Sequence, residues 1–113
     1  MAVEECHESA AIFSIARHDV RPAQRPVVCL ADAYDPEQFV HLLPDGTWPT
    51  TKATAGSNSA VVQAVADHHA GRAVVTVAID NLGKGAAGQA LQNANLLLGL
   101  AETTGLSSIG VTP

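Results

Sequence analysis

Residues 72–99 read RAVVTVAIDNLGKGAAGQALQNANLLLG, and the fold of this chain depends on that stretch. Its first eight residues are mostly Val, Ala and Ile, which predicts a β-strand over residues 72–79. Beyond the strand, Asn81 is placed to be an N-cap and Gly99 to end a helix, which predicts a helix over residues 82–99. One apolar stripe at helical spacing runs along this helix: Ala87, Leu91, Ala94 and Leu98.

A second strand is predicted directly upstream, over residues 59–67. The loop His-His-Ala-Gly separates the two strands, and Gly71 supplies the positive φ that a short hairpin loop needs. Neither face of residues 72–79 carries a charge. We therefore expect this strand to lie inside a sheet that is covered on both sides.

Weaker patterns precede the hairpin. Residues 10–16 fit either a short strand or a helical turn, and residues 27–34 predict a short helix. Residues 39–43 predict a strand, while the Thr-rich residues 48–55 are expected to be extended. The chain is thus expected to form an α+β fold: a small mixed, mostly antiparallel sheet with a long C-terminal helix.

Composition bounds the classes of function. The chain has 113 residues, 47% of them hydrophobic, and a net charge of −5. That size and balance indicate one globular domain, or a piece of one. The acidic balance and scattered basic residues exclude an electrostatically driven nucleic-acid binder. The acidic start is unlike a signal peptide, and no apolar stretch spans a membrane, so we expect a cytoplasmic setting.

The letters Gly83-Lys84-Gly85-Ala86-Ala87-Gly88 match the dinucleotide fingerprint G-x-G-x-x-G. They are too close to the end of the chain to open a complete β-α-β unit, so a self-contained Rossmann site is excluded. Three glycines at the start of a helix still cost stability. Either another backbone or a ligand approaches closely there, or the glycines serve tight packing; free N–H groups and Lys84 would also attract phosphate.

Four amides follow within two turns of the predicted helix: Gln89, Gln92, Asn93 and Asn95. An exposed helix would be expected to carry Glu and Lys instead. The amides therefore indicate a half-buried polar seam whose hydrogen bonds a partner chain, a domain or a ligand satisfies. An ordinary polar surface is the alternative.

Two segments carry a family resemblance: GTWPTTKATAGSN at residues 46–58 and AIDNLGKGAAGQALQNANLLLGLAETTGL at residues 78–106. They resemble the C-terminal part of the N-acetyl-gamma-glutamyl-phosphate reductases, of the semialdehyde dehydrogenase superfamily. Aspartate-semialdehyde dehydrogenases share part of the second segment. The resemblance implies that residues 28–113 belong to the catalytic and dimerisation domain, whereas residues 1–27 form a divergent N-terminal segment.

The same resemblance implies a cofactor site. In the family a final helix returns to pack on an N-terminal Rossmann domain, and residues 82–99 would be that helix. Asn81, Lys84 and Gly85 would then lie near the nicotinamide end of NADP. The implied partners are a small-molecule substrate and either a second copy or a full-length reductase; nucleic acid and membrane are not expected.

The implied reaction is the NADPH-dependent reduction of an acyl phosphate to a semialdehyde in arginine biosynthesis. A cysteine thiolate and a histidine perform it in the family, but neither of their motifs is present here. Cys6 lies in Glu-Glu-Cys-His-Glu, where the carboxylates disfavour a thiolate and His7 offsets them only in part, and Cys29 is typical of a buried core thiol, so no catalytic residue is assigned. The chain alone is expected to be inactive. The alternatives are a non-catalytic dimerisation or docking remnant and a fragment of an aspartate-semialdehyde dehydrogenase.

The histidines carry no site in this interpretation. His68 and His69 are expected in an exposed loop, and Cys6-His7 lacks the spaced partners of a zinc site. No metal site is assigned.

Overall fold

The computed structural model describes residues 10–18 and 26–111, and the side chains of residues 30–111. The described chain has four strands, three α-helices and one π-helical turn. In chain order they are β1 (Ala10–His18), α1 (Pro26–Tyr34), β2 (Val40–Leu42), α2 (Thr51–Thr54), β3 (Ala60–Asp67), β4 (Arg72–Asp80), a π-helical turn (Gly83–Ala87) and α3 (Gly88–Leu97).

One four-stranded sheet joins the strands in the order β1-β4-β3-β2. β4 pairs antiparallel with both β1 and β3, whereas β2 and β3 run parallel. The fold is therefore α+β with a mixed, mostly antiparallel sheet and a C-terminal helix, which confirms the predicted class. The ambiguity at residues 10–16 is resolved in favour of a strand.

The β3–β4 hairpin forms as its sequence predicts. Gly71 has a φ of 62°, in the left-handed region that glycine enters without strain. Asp67 closes the loop: it accepts a hydrogen bond from the Ala70 backbone N–H and an ion-paired one from Arg72 Nε at 3.1 Å. This pair is substantially exposed and adds little stability of its own.

The core lies against β3 and the end of β4. Val61 and Val62 are both buried although successive strand residues face opposite sides, so the beginning of β3 is covered on both faces. Coverage of β4 is less complete. Ala73 and Ala78 are buried on opposite faces, but the four residues between them are half-exposed. β4 is thus an interior strand, as predicted, with only its two ends fully covered.

The prediction that residues 48–55 are extended is wrong in part, because Thr51–Thr54 form the short helix α2. The Thr54 hydroxyl donates to the Thr51 carbonyl at 3.0 Å, and Ser57 N–H donates to the Thr54 carbonyl. Thr54 is fully buried. Local side-chain hydrogen bonds and packing here outweigh the general preference of Thr for strands.

The final helix is shorter than the predicted residues 82–99 and begins irregularly. It consists of the π-helical turn followed by the α-helix to Leu97, and Gly99, with a φ of 68°, ends it as predicted. A π-helical turn is uncommon and often lies at a functional site.

Candidate functional site: the start of the final helix

The Asp80 carboxylate organises the junction between β4 and the final helix. Oδ1 accepts hydrogen bonds from the backbone N–H groups of Leu82 (2.9 Å) and Gly83 (2.8 Å). Oδ2 accepts one from the Gly56 N–H at 2.6 Å. Asp80 therefore satisfies the first free donors of the helix, and the predicted N-cap role of Asn81 is wrong by one residue.

Electrostatics favour the ionised form of Asp80. Burial of the side chain by itself would raise its pKa, but hydrogen bonds from the N–H groups of Gly83, Gly56 and Leu82 outweigh burial and lower the pKa below its ordinary value. A carboxylate fixed there also occupies the positive end of the helix dipole. The start of the helix consequently favours a second anion less than the sequence suggested.

Two of the three glycines are explained by close approach of backbone. A Cβ on Gly83 would lie 2.8 Å from the Ser57 carbonyl oxygen. A Cβ on Gly88 would lie 2.8 Å from the Gly83 carbonyl oxygen and would overlap Asn58 Oδ1. Between the alternatives that the sequence left open, the described chain itself supplies the close approach: the turn at residues 56–58 packs against the helix.

A polar network centred on Gln92 joins this helix to the turn. Gln92 Oε1 accepts from Asn58 Nδ2 at 2.8 Å and from Lys84 Nζ at 2.6 Å, while Gln92 Nε2 donates to Glu102 Oε1. Asn58 is 3% exposed, whereas Lys84, Gln92 and Glu102 are half-buried, so water reaches one side of the network only in part. Hydrogen bonds to charged partners in such surroundings are strong.

Asn95 ties the helix to the segment that follows it. Its Nδ2 donates to the carbonyl oxygens of Glu102 (3.0 Å) and Thr104 (2.9 Å). The half-buried amide seam predicted from the sequence therefore exists at Gln92 and Asn95, but the chain satisfies it internally. Gln89 and Asn93 are exposed instead.

Lys84 points along the helix and away from its start. Its ammonium lies 5.5 Å from the centre of the buried Phe39 ring, within range of a cation–π interaction. Burial lowers the pKa of Lys84, and the charges of Glu102 and Glu37 oppose that shift only in part. The lysine is thus held within the network.

An open cleft of about 460 Å³ lies between the turn and the helix start. Its lining combines backbone of four glycines with a few polar side chains: Gly56, Ser57, Asn58, Asp80, Leu82, Gly83, Gly88, Gly105, Leu106 and Ser107. None of the three predicted cofactor residues is in this lining. Asn81, which is exposed, and Lys84 and Gly85, which are half-exposed, flank it along the helix start.

Asn58 has an unusual position at this cleft. Its Oδ1 is buried without a hydrogen-bond partner and lies against the Gly88 backbone. A weak contact with the glycine Cα–H is what such an arrangement offers. The missing side chain at position 88 is therefore what allows the amide to reach Gln92.

Sequence reasoning missed Asp80, Asn58 and Glu102 as members of this site. Asp80 had a usable signal, because an Asp that ends an apolar strand and precedes a helix by three residues is a common capping pattern. Asn58 and Glu102 had none, since they are 34 and 10 residues from Gln92 in the chain.

Other candidate groups form no comparable centre. His41 Nε2 lies 3.1 Å from Ser59 Oγ, but that hydroxyl is buried and donates to the Ser108 carbonyl, so it is not available as a nucleophile. His68 and His69 are exposed in the hairpin loop. Cys6 lies outside the described residues, and so do the surroundings of the Cys29 side chain.

The described part of the chain holds neither a metal-binding cluster nor a membrane-spanning helix. No three His, Cys, Asp or Glu side chains lie close enough together to hold a metal ion. Among the helices of residues 10–18 and 26–111, none has the length and hydropathy of a membrane span.

The described chain thus combines a mixed sheet with a helix that begins beside a glycine-rich cleft. Residues 9–81 match the family model described as the semialdehyde dehydrogenase, dimerisation domain, and the chain belongs to that family. The match begins inside residues 1–27, which the sequence set apart as divergent, and ends just before the final helix.

Individual proteins of known name show which members of the family this chain is similar to in sequence. The chain is 60% identical over 88 residues to the N-acetyl-gamma-glutamyl-phosphate reductase of Salinispora arenicola (strain CNS-205), covering 78% of this chain and 26% of the relative. It is 63% identical over 83 residues to the reductase of the same name from Paenarthrobacter aurescens (strain TC1), covering 74% and 24%. The chain thus spans about a quarter of the length of the relatives it matches.

Proposed function

We propose that this chain is the C-terminal portion of an NADPH-dependent N-acetyl-gamma-glutamyl-phosphate reductase, acting in arginine biosynthesis in the cytoplasm. The observation that carries the proposal is an identity of 60% or more to reductases of that name, together with membership of the dimerisation-domain family. The substrate would be an acyl phosphate and the product a semialdehyde.

In this proposal the start of the final helix lies against NADP held by a Rossmann domain outside residues 1–113. The chemistry that NADPH supplies is hydride. The described residues fit its neutral nicotinamide end better than its phosphates, since the Asp80 carboxylate already occupies the N–H groups of Leu82 and Gly83. The exposed amide of Asn81 offers hydrogen bonds to a carboxamide. Gly85 keeps that amide in place, because a Cβ there would lie 3.1 Å from Asn81 Oδ1.

Lys84 would have a second role in the same site. Its ammonium is engaged by Gln92 Oε1, so it can contact a ligand only by leaving that acceptor or by sharing its protons. An ammonium has three donors, and one hydrogen bond to Gln92 leaves two for other acceptors. We propose that Lys84 faces the cofactor with these remaining donors.

The chain alone is proposed to be inactive, because no nucleophilic cysteine is assigned within it. The test is co-expression of this chain with the N-terminal three quarters of the Paenarthrobacter aurescens reductase, followed by an assay of NADPH oxidation with the acyl phosphate. Activity only when both pieces are present supports the proposal. Turnover by this chain alone, or no turnover by the pair when the two pieces co-purify, contradicts it.

A non-catalytic docking module is the second candidate, and the structure changes where its surface would be. Gln92 and Asn95 are satisfied internally, so only Gln89 and Asn93 of the seam remain exposed. Pull-down of a full-length reductase by the chain, lost in a Gln89→Ala/Asn93→Ala variant, would favour docking through the seam. A fragment of an aspartate-semialdehyde dehydrogenase is the remaining alternative; the co-expression assay with aspartyl phosphate tests it.

A further inference from the structure

An exposed turn, Pro44-Asp45-Gly46-Thr47, lies between β2 and α2. The Thr47 N–H donates to the Pro44 carbonyl at 3.2 Å, and Gly46 at the third position of the turn has a φ of 85°. A positive φ at that position favours glycine. All four residues are exposed, and a Cβ on Gly46 would meet nothing within 4 Å. The peptide bond between Asp45 and Gly46 therefore lies in water with no packed neighbour.

The Pro44 carbonyl attaches this turn to the sheet. Besides the Thr47 N–H, it accepts a hydrogen bond from Thr47 Oγ1 at 2.7 Å and one from Gln63 Nε2 at 2.8 Å. Gln63 belongs to β3 and is 1% exposed. A change in the backbone of the exposed turn is therefore transmitted to a buried side chain, whose amide needs that acceptor.

An Asp-Gly sequence can isomerise without any catalyst. The Gly46 nitrogen attacks the carboxyl carbon of Asp45, and the N–H proton leaves with the carboxyl OH as water, which closes a five-membered succinimide ring. A water molecule then opens the ring at either carbonyl carbon. One opening restores aspartate, and the other gives isoaspartate, in which the main chain runs through the side-chain carbonyl. Glycine hinders the attack least, because it lacks a Cβ and its φ can change sign.

The other four aspartates of residues 30–111 are each restrained from this reaction. Asp32 lies in α1, where helical hydrogen bonds fix its peptide plane. Asp35 precedes a proline, which has no N–H to give up. The carboxylates of Asp67 and Asp80 are held by hydrogen bonds from backbone N–H groups.

Asp45 has none of these restraints. In the part of the chain whose side chains are described, its carboxylate forms no ion pair and accepts no hydrogen bond, and the Gly46 N–H donates to no acceptor. Both reacting groups are thus free, in a turn whose glycine permits the peptide plane to rotate for the attack.

We propose that Asp45 is a modification site at which isoaspartate forms, that this isoaspartate withdraws the Pro44 carbonyl from Gln63, and that an isoaspartyl O-methyltransferase acts on it. Such an enzyme transfers the methyl group of S-adenosylmethionine to the free carboxylate of isoaspartate and releases S-adenosylhomocysteine. The ester loses methanol and forms the succinimide again, so repeated rounds return the turn to aspartate. This proposal does not depend on the proposed reductase activity.

Incubation of the chain in H₂¹⁸O at neutral pH tests the site, because each ring opening adds one ¹⁸O atom. Peptide mass spectrometry should find the label and isoaspartate at Asp45 several times more than at any other aspartate. Asp45→Glu keeps the charge but would need a six-membered ring, so it should take up no label at that position. No label at Asp45, or equal label at all the aspartates, overturns the proposal.

A purified isoaspartyl O-methyltransferase with labelled S-adenosylmethionine tests the partner. The incubated chain should accept methyl groups, whereas fresh chain and incubated Asp45→Glu should accept far fewer. Equal transfer to the incubated chain and to incubated Asp45→Glu overturns the proposal. In the NMR spectrum of the isoaspartate form, the side-chain amide resonances of Gln63 should move, and methyltransferase treatment should restore them. Resonances that stay in place contradict the loss of the Pro44 contact.

Discussion

The Gly56 backbone N–H donates to Asp80 Oδ2 over 2.6 Å and joins the turn after α2 to the end of β4. The other carboxylate oxygen holds the first two N–H groups of the final helix. One side chain, 7% exposed, therefore fixes three segments: the turn, the strand end and the helix start. Disturbing it should affect all three together.

Asp80→Asn should lower the free energy of unfolding by about 2–3 kcal/mol. The amide keeps one acceptor oxygen but places an NH₂ group against an N–H donor, and a buried donor without a partner costs about 1–3 kcal/mol. Urea unfolding at neutral pH measures the change. Asp45→Asn, in the exposed turn after Pro44, is the matched control and should change stability by less than about 0.5 kcal/mol. Equal effects of the two substitutions would contradict the role of Asp80.

Acid should weaken the native chain through the same residue. The pKa of Asp80 is lower in the folded state than the ordinary value of 3.8, so the unfolded chain binds the proton first as the pH falls. The stabilisation is therefore complete above about pH 5 and is lost as the pH falls through the ordinary pKa and then the lowered folded-state pKa. Urea midpoints at pH 6 and pH 3 should differ more in the native chain than in Asp80→Asn. Parallel pH profiles would be the opposite result.

Gly88→Ala should destabilise the chain by about 1–3 kcal/mol, since overpacking costs that much. In an ordinary helix the same change stabilises by about 1 kcal/mol. Here the new methyl group would meet the Gly83 carbonyl and Asn58 Oδ1. Gln89→Ala, at the neighbouring exposed position, is the control and should be near neutral. Thermal unfolding distinguishes the two variants. A gain in stability for Gly88→Ala would show that the turn at residues 56–58 moves to accommodate the methyl group.

Local patterns predicted the hairpin and the end of the final helix because short-range chemistry controls them. The φ of Gly71 and of Gly99 follows from the steric freedom of glycine within a few residues. The α+β class was also predictable, because the Val-rich strands and the Ala- and Leu-rich helix differ in the period of their hydrophobic residues. The prediction of an extended segment at residues 48–55 was wrong because the helix there depends on the burial of Thr54. Composition does not reveal that burial.

The sequence predicted where the site at the start of the final helix lies, but not which residues form its hydrogen bonds. Costly glycines and clustered amides marked the helix start correctly, but the sequence assigned their hydrogen bonds to an outside partner. Gln92 is instead satisfied by Asn58 and Glu102, and long-range pairs of this kind leave no periodic signal. The carboxylate of Asp80 likewise carried a local capping signal that was assigned to its neighbour Asn81.

Gln92→Leu should destabilise the chain by about 2–4 kcal/mol, because it leaves Asn58 Nδ2 buried without an acceptor and removes a charged hydrogen bond from Lys84. Hydrogen exchange should also become faster at residues 102–104, which the helix then holds less firmly. Asn93→Leu, exposed one residue further along, is the matched control and should change neither quantity. Similar exchange rates in both variants would argue against a central role for Gln92.

Glu102→Gln should lower the pKa of Lys84 further. Burial already lowers it, and the negative charge of Glu102 is the larger of two charges that oppose the shift, the other being Glu37. Removing the Glu102 charge therefore favours the neutral amine, since a half-buried ammonium loses the larger of its two compensating charges. The chain has two lysines, so ¹⁵N NMR titration of Nζ in a Lys52→Arg background follows Lys84 alone. Glu37→Gln should shift the pKa in the same direction by less. A rise in the Lys84 pKa in Glu102→Gln would contradict this expectation. It would mean that the ammonium moves into water when Glu102 is lost, because Gln92 and Phe39 do not hold it by themselves.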